Sequence, residues 1–141
     1  MATSRPSERK PTEAGYSATP LAKKLGATED SRCLVVGPAA AAVLTAIPAA
    51  HRKPGRAPYD VIVAFCPDLR ALRRHVATLP ERLAPKGGLW LCWPKKASGV
   101  VTDVGELDIH QAGLATGLVD NKVAAIDEVW SGVRFVHRRA K

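Results

Sequence analysis

The stretch RCLVVGPAAAAVLTAIP, residues 32–48, decides the fold class of this chain. Residues 32–37 form a short apolar run, as is typical of a strand buried in a parallel sheet. A Gly-Pro turn at residues 37–38 then begins an alanine-rich helix that extends to about Ile47, where a proline ends it. A buried strand followed by a helix is the first half of a βαβ unit, so the stretch predicts an α/β domain.

Two further apolar runs continue this alternation. DVIVAFC at residues 60–66 and LWLCWP at residues 89–94 are predicted to be the second and third buried strands. Between them, Asp68 is placed to cap a helix with a stripe of leucine and valine, which Pro80 is expected to kink or split. Right-handed crossovers would place the helices on both faces of the sheet.

The C-terminal third has a different pattern. Asp103 and Glu106 form a capping-box pattern that predicts a helix to about Gly117. Residues 119–126 and 130–139 are predicted strands, and the short acidic turn between them makes them an antiparallel pair. The predicted fold is therefore a mostly parallel, Rossmann-like α/β sheet with helices on both faces and a C-terminal antiparallel hairpin.

The segments outside these elements set the domain boundaries. Residues 1–14 are polar and contain proline, so we expect a disordered tail, and residues 15–141 then form one compact domain. That domain begins with a short helix between a Thr19 cap and a Gly26 stop. Residues 48–58 carry three prolines and are expected to form a loop with at most one short edge strand.

The composition excludes several classes of protein. The chain has 141 residues and a net charge of +8, and it contains no apolar run long enough to span a membrane. Its first residues resemble no secretory signal, so we expect a cytoplasmic protein with no membrane partner. An acidic stretch at residues 103–133 interrupts the basic sequence around it. Because stacking aromatics are few, nucleic acid stays open as a partner but is not favoured.

The sequence motifs of common catalytic and metal sites are missing. The three cysteines, Cys33, Cys66 and Cys92, lie far apart in apolar runs, so reduced and buried thiols are expected. No HExxH, CxxC or calcium-loop pattern occurs, and no P-loop or nucleophile-elbow spacing is found. We therefore assign no catalytic residues and no metal ligands from the sequence.

The stretch LAPKGGLWLCWPK, residues 83–95, resembles the entry into the fifth strand of class I methyltransferases. The final hairpin also resembles the antiparallel end of that fold, and the resemblance implies a trimmed version of it. Two features depart from the family pattern. Residues 37–40 are Gly-Pro-Ala-Ala in place of a glycine-rich cofactor loop, and no strand ending in an acidic ribose-binding residue follows. We therefore expect no bound cofactor and no methyl-transfer chemistry.

Three longer blocks resemble the bacterial family catalogued as domain of unknown function 3052. They are GYSATPLAKKLG at residues 15–26, WPKKASGVVTD at residues 93–103 and GLVDNKVAAIDEVWSG at residues 117–132. Two positions depart from the family pattern, since Ala124 stands where cysteine is common and Asn121 where a small apolar residue is common. The family is uncharacterised, so the resemblance implies a bacterial protein of this fold and no particular reaction.

A candidate site lies where the strand ends meet. Ligands of open α/β sheets bind beyond the carboxyl ends of the strands, and the loop at residues 94–103 begins there with two lysines. Ammonium groups, hydroxyls and a helix amino end suit an anion, and an indole suits a ring. The candidate ligand-binding residues are Trp93, Lys95, Lys96, Ser98, Gly99, Thr102, Asp103, Asp127 and Trp130.

Structural roles for these same residues stay open. Lys95 and Lys96 could instead form surface ion pairs with Asp127, Glu128 or Asp103. Trp90 and Trp93 are three residues apart on a strand, so they face opposite sides and at least one belongs to the core.

The expected function is a cytoplasmic binding or regulatory module with a methyltransferase-like fold, without methyl-transfer chemistry, that binds a small anionic ligand at residues 94–103. One alternative is a small enzyme that acts on a phosphorylated or carboxylated metabolite. A second is a basic protein that binds nucleic acid. A protein partner, facing the acidic stretch at residues 103–133, is also an expected class of partner.

Overall fold

The computed structural model describes residues 20–138. The predicted tail at residues 1–14 and the predicted cap at Thr19 lie outside these residues. Within them the sheet consists of β1 (Cys33–Val36), β2 (Tyr59–Phe65), β3 (Leu83–Pro94), β4 (Val119–Ala125) and β5 (Trp130–Val136). The α-helices are α1 (Leu21–Leu25), α2 (Ala41–Ala46), α3 (Leu69–Thr78) and α4 (Glu106–Ala115).

The five strands form one mixed sheet in the order β1-β2-β3-β5-β4. The first three strands are parallel to each other, and β5 runs antiparallel to both β3 and β4. The predicted α/β sheet with a C-terminal antiparallel hairpin is confirmed. The crossover through α4 places β4 two positions away from β3. The second strand of the hairpin, β5, occupies the position between them and pairs with both.

Helices cover both faces of this sheet, as predicted. On one face, α1 and α2 pack on a cluster that includes Val63, Phe65 and Trp90. On the other face, α3 and α4 pack on a cluster that includes Trp93 and Phe135. The two tryptophans of β3 therefore belong to opposite halves of the core, as their spacing predicts.

β3 is longer than predicted. It begins at Leu83, directly after a 3-10 turn at Pro80–Arg82 that separates it from α3. Tyr59 pairs with Leu83 whereas Val61 pairs with Gly88, so residues 84–87 lie within the strand as an irregularity. Pro80 splits the predicted long helix because its ring cannot occupy a helix interior.

The outer edge of β1 is partly covered by the loop that follows α2. The backbone of His51 donates to the carbonyl of Cys33 and accepts from the amide of Val35, both at 2.8 Å. This single bridge is the short edge strand that the sequence allowed. The guanidinium of Arg52 then donates 2.9 Å hydrogen bonds to the carbonyls of Val35 and Gly37. The carboxyl end of β1 is thereby held against this loop.

Among residues 20–138, no helix has both the length and the apolar character needed to cross a bilayer.

Candidate functional site

The carboxyl ends of the three parallel strands form the edge at which the sequence places a site. β1 ends at Val36, β2 at Phe65 and β3 at Pro94. β5 runs in the opposite direction, so its first residue, Trp130, lies beside Pro94 at the same edge. The loops that follow these strands, together with the β4–β5 turn, form the surface of the candidate site.

Gly37 brings the first of these loops close to β2. Its φ angle is +89°, in the left-handed region that favours glycine, and a Cβ atom would lie 2.6 Å from the carbonyl oxygen of Phe65. The backbone after β1 therefore crosses directly over the end of β2. The next residues, Pro38, Ala39 and Ala40, carry only a ring and methyl groups. The long side chain at this backbone is that of Arg52, whose guanidinium donates to the carbonyl of Gly37 at 2.9 Å.

Phe65 and Trp130 form the aromatic part of the edge. Their rings meet edge to face, with centroids 4.9 Å apart and planes at 85°. Phe65 is fully buried, whereas Trp130 is half-buried. Phe65 thus contacts the Gly37 loop with its backbone and the Trp130 indole with its ring. These two features flank the end of β2.

The acidic turn between β4 and β5 holds Trp130 in place. Oδ1 of Asp127 accepts hydrogen bonds from the amides of Val129 at 2.8 Å and Trp130 at 2.7 Å. The amide of Ile126 donates to the carbonyl of Trp130 at 2.9 Å and closes the hairpin. Asp127 therefore orders this turn, while the neighbouring Glu128 is exposed to solvent.

The side-chain hydroxyls of Ser98 and Thr102, which are predicted to contact a ligand, both donate hydrogen bonds to backbone carbonyls. Ser98 donates to the carbonyl of Lys95 at 2.7 Å, and Thr102 donates to the carbonyl of Pro67 at 2.6 Å. The first bond closes a turn within the loop, and the second ties the loop to the end of β2. Gly99 takes a left-handed conformation between them, with φ of +78°.

Asp103 has a different role from the one its spacing suggests. The capping-box pattern assigned it to the helix that follows, yet the residue preceding α4 is Gly105, whose amide donates to Asp108 at 2.9 Å. The Asp103 carboxylate instead accepts from the amide of Leu69 at 2.8 Å, at the start of α3. The start of α3 is therefore nearer to the Asp103 carboxylate than the start of α4, although α4 begins only three residues later in the chain.

The remaining predicted residues are divided between surface and core. Lys95 is partly exposed and Lys96 is exposed, and within residues 20–138 no ion pair joins either lysine to a carboxylate. Trp93 is 5% exposed and packs in the core on the α3–α4 face, so its ring is turned away from the edge. Trp130 is the tryptophan that reaches the site surface.

Burial makes the cysteine thiols unreactive. Burial raises the pKa of Cys66 to about 12 and that of Cys92 well above its usual value, and it also raises the pKa of Cys33. All three thiols are free and buried, as predicted. No group of three or more potential metal ligands occurs within residues 20–138.

Arg52 is the part of this edge that sequence reasoning missed. Its guanidinium lies at the carboxyl end of β1, on the carbonyls of Val35 and Gly37. The only signal in the sequence is the basic triplet at residues 51–53, which by composition is a solvated loop. The position of Arg52 depends on a single bridge between His51 and β1, and no local sequence pattern predicts that bridge.

Solved methyltransferase structures resemble this fold. N-methyltransferase NodS from Bradyrhizobium japonicum superposes with a TM-score of 0.54 at 18% identity, covering 77% of this chain and 86% of NodS. A TehB-like SAM-dependent methyltransferase from Corynebacterium glutamicum superposes with a TM-score of 0.55 at 11% identity, covering 89% of this chain and 91% of that enzyme. Glycopeptide N-methyltransferase MtfA, in complex with S-adenosylhomocysteine, reaches 0.58 at 9% identity over 84% of this chain and 87% of its own. No protein-family model and no curated protein sequence matches this chain.

These structures establish the methyltransferase-like, Rossmann-like fold. They also correct the expected function, which was a module without methyl-transfer chemistry. The three structures named above are methyltransferases, one of them described as SAM-dependent, and the MtfA structure is a complex with S-adenosylhomocysteine.

Proposed function

We propose that this domain binds S-adenosylmethionine at the carboxyl edge of its sheet and transfers the methyl group to an acceptor. One observation carries the proposal. On a methyltransferase-like sheet, the ring and backbone of Phe65 bring together a loop of small side chains that begins at Gly37 and a half-buried indole at Trp130. In open α/β sheets this edge is where ligands bind.

The chemical groups at the edge suit the parts of this cofactor. S-adenosylmethionine carries an adenine ring and a positively charged sulfur. The Trp130 indole offers a face for a ring or a cation, and the exposed Glu128 carboxylate favours positive charge nearby. Residues 38–40 carry only a ring and methyl groups, and the Arg52 guanidinium lies on the carbonyl of Gly37 beside them. These residues would hold the cofactor.

The chain's own contribution is to fix the geometry of this edge. When bound, S-adenosylmethionine supplies a methyl group that an acceptor lone pair displaces from sulfur, leaving S-adenosylhomocysteine. Asp127 orients Trp130 through two backbone hydrogen bonds. Thr102 and Asp103 tie the loop after β3 to the end of β2 and the start of α3. Such pre-ordering lowers the entropic cost of aligning two reactants.

Two finer assignments belong to the same proposal. The sequence blocks at residues 15–26, 93–103 and 117–132 support membership of the family called domain of unknown function 3052, and with it a bacterial protein. The cytoplasmic location expected from the sequence stays a prediction. The loop that carries Lys95 and Lys96 borders the edge, and we propose it as the side from which the acceptor enters. The classes of partner expected from the sequence stay predictions.

Ligand-dependent thermal unfolding tests the proposal. S-adenosylhomocysteine and sinefungin are the probes, because neither is consumed. At about 100 times its dissociation constant a ligand adds about 2.7 kcal/mol of stability, which raises the melting temperature measurably. We expect Trp130→Ala and Glu128→Gln to weaken the shift, whereas Leu114→Ala, on α4, should leave it unchanged.

The two site variants separate a lost ligand contact from a damaged fold. Glu128 is exposed, so Glu128→Gln should unfold at the wild-type temperature in the absence of ligand. If neither probe nor S-adenosylmethionine raises the melting temperature of the wild-type chain, the proposed cofactor is wrong. If the probes stabilise both site variants as much as the wild type, the cofactor binds elsewhere.

A further inference from the structure

Arg52 lies beside β1 at the outer edge of the sheet, in the loop that follows α2. The bridge between His51 and Leu34 is parallel, so Arg52 directly follows a short pairing that extends the parallel part of the sheet beyond β1. In open α/β sheets, ligands bind beyond the carboxyl ends of parallel strands. Arg52 therefore occupies a position from which a side chain can reach a ligand at this edge.

Two hydrogen bonds fix the direction of the Arg52 side chain. Its Nε donates to the carbonyl of Val35 and its Nη2 donates to the carbonyl of Gly37, both at 2.9 Å. Because Gly37 follows Val35 along the chain, the guanidinium points along the outer side of β1 toward the carboxyl end of that strand. It ends at the Gly37 loop, which borders the proposed cofactor site.

One hydrogen-bonding fork of this guanidinium has no acceptor among residues 20–138. A guanidinium has five N–H donors in one plane. Nε and one N–H of Nη2 form the fork that faces β1, and the two carbonyls occupy it. The other fork consists of Nη1 and the second N–H of Nη2, and no carboxylate of the described residues forms an ion pair with it. Such a fork matches the two oxygens of a carboxylate.

Arg52 and Trp130 border the candidate site from opposite ends. β2 and β3 lie between β1 and β5, so β1 and β5 are separated by three strand intervals, about 14 Å in all. S-adenosylmethionine is an elongated molecule with its adenine ring at one end and its only carboxylate at the other. If the adenine stacks on the Trp130 indole and the molecule extends over the end of β2, its carboxylate reaches the end of β1.

We propose that Arg52 binds the carboxylate in the amino-acid part of S-adenosylmethionine and selects for ligands that carry this group. The assignment rests on the cofactor site proposed above. Lys95 and Lys96 follow β3, and the last residue of that strand pairs with Trp130, so both lysines lie nearer the indole than the end of β1. The guanidinium is also held in place before a ligand arrives, which reduces the entropic cost of binding.

Binding of two matched nucleosides to the full chain tests this inference. The probes are S-adenosylhomocysteine and S-adenosylthiopropylamine, which is the same molecule without its carboxylate. With isothermal titration calorimetry, we expect the wild-type chain to bind S-adenosylhomocysteine about tenfold to a hundredfold more tightly, which is the usual effect of hydrogen bonds between charged groups.

Substitutions of Arg52 assign this preference to the guanidinium. Arg52→Met keeps a long unbranched side chain without donors, so the variant should bind both probes with similar affinity, close to that of the wild type for the decarboxylated probe. Arg52→Lys keeps the charge without the fork and should retain only part of the preference. Lys53→Ala is the matched control, because it removes the same charge from the next residue, which is also exposed, and should retain the full preference.

The outcomes separate this inference from the proposed function. If the wild-type chain binds neither probe, the proposed cofactor is wrong, and the role of Arg52 with it. If the wild-type chain binds both probes equally, or if Arg52→Met or Arg52→Lys keeps the full preference, cofactor binding stands and the assignment to Arg52 is overturned. Equal weakening of both probes in Arg52→Met also overturns it, because Arg52 would then only hold the loop against β1.

Discussion

The carboxylate of Asp103 caps a helix that begins 34 residues earlier, since its Oδ1 accepts a 2.8 Å hydrogen bond from the amide of Leu69. Asp68 accepts from the amide of Ala71 in the same helix end, also at 2.8 Å. Two carboxylates thus satisfy two of the amides that a helix start leaves unpaired. Because Asp103 belongs to the loop after β3, the bond also fastens that loop to the edge proposed to bind the cofactor.

Removal of this cap should destabilise the domain. We expect Asp103→Ala to lower the free energy of unfolding by about 0.5–2 kcal/mol, the usual effect of losing a helix cap. Asp103→Asn keeps an acceptor oxygen and should lose much less. Urea unfolding followed by circular dichroism measures both. Equal stability of the alanine and asparagine variants would show that the bond to Leu69 contributes little.

Alanine variants of two glycines with positive φ should distinguish the cost of a steric clash from the cost of backbone strain. Gly37 and Gly99 have φ angles of +89° and +78°, but a Cβ would clash with the carbonyl of Phe65 only at Gly37, whereas Gly99 has nothing within 4 Å. Gly99→Ala should therefore lower stability by about 1–2 kcal/mol, the cost of the left-handed conformation alone. Gly37→Ala should lower it clearly further. Similar losses in the two variants would argue against the close approach at Phe65.

The indole of Trp90 is expected to support the fold through a hydrogen bond as well as through packing. Its Nε1 donates to the carbonyl of Leu25 at 3.0 Å, which fastens the end of α1 to the sheet. Trp90→Phe leaves that carbonyl unpaired, which costs about 1–3 kcal/mol beyond the lost packing. Trp93→Phe removes the same atoms from the other face of β3 and is the control. The prediction is wrong if chemical denaturation finds the two variants equally stable.

His75 should make stability depend on pH. Burial lowers its pKa below the ordinary value of 6.5, partly opposed by a hydrogen bond to the Phe65 backbone, and the nearby charge of Arg74 lowers it further. Below pH 6.5 the unfolded state binds a proton more readily than the folded state, so stability falls as the pH decreases through that range.

Replacing this side chain should reduce the pH dependence. Nε2 of His75 is buried and has no hydrogen-bond partner, so His75→Leu removes an unsatisfied polar atom. Between about pH 8 and pH 5 the variant should lose less stability than the wild type when unfolding is followed with urea. An identical loss in both proteins would mean that His75 titrates alike in the folded and unfolded states.

Prediction from sequence was most reliable where local patterns decide structure. Continuous apolar runs identified β1 and β2, and Asp68 caps α3 as its position predicts. It failed where nearness in space overrides nearness in sequence. The sequence pattern predicts that Asp103 caps α4, which begins three residues later. In the folded chain the start of α3 lies closer to its carboxylate, and Asp103 caps that helix. Trp93 precedes the polar loop, yet strand alternation turns its ring into the core.

The sequence by itself determined the fold class and the strand that begins each unit, and it predicted the edge at which the candidate site lies. These features depend on side-chain periodicity and on turn residues, which are local properties of the chain. Only the tertiary structure decided which polar groups remain free to meet a ligand. Hydroxyls and carboxylates bond to whichever backbone groups the fold leaves unpaired nearby, and those groups belong to elements as distant in sequence as Leu69 and Asp103. That competition leaves the indole of Trp130, the carboxylate of Glu128 and the small side chains that follow Gly37 at the surface of the proposed site.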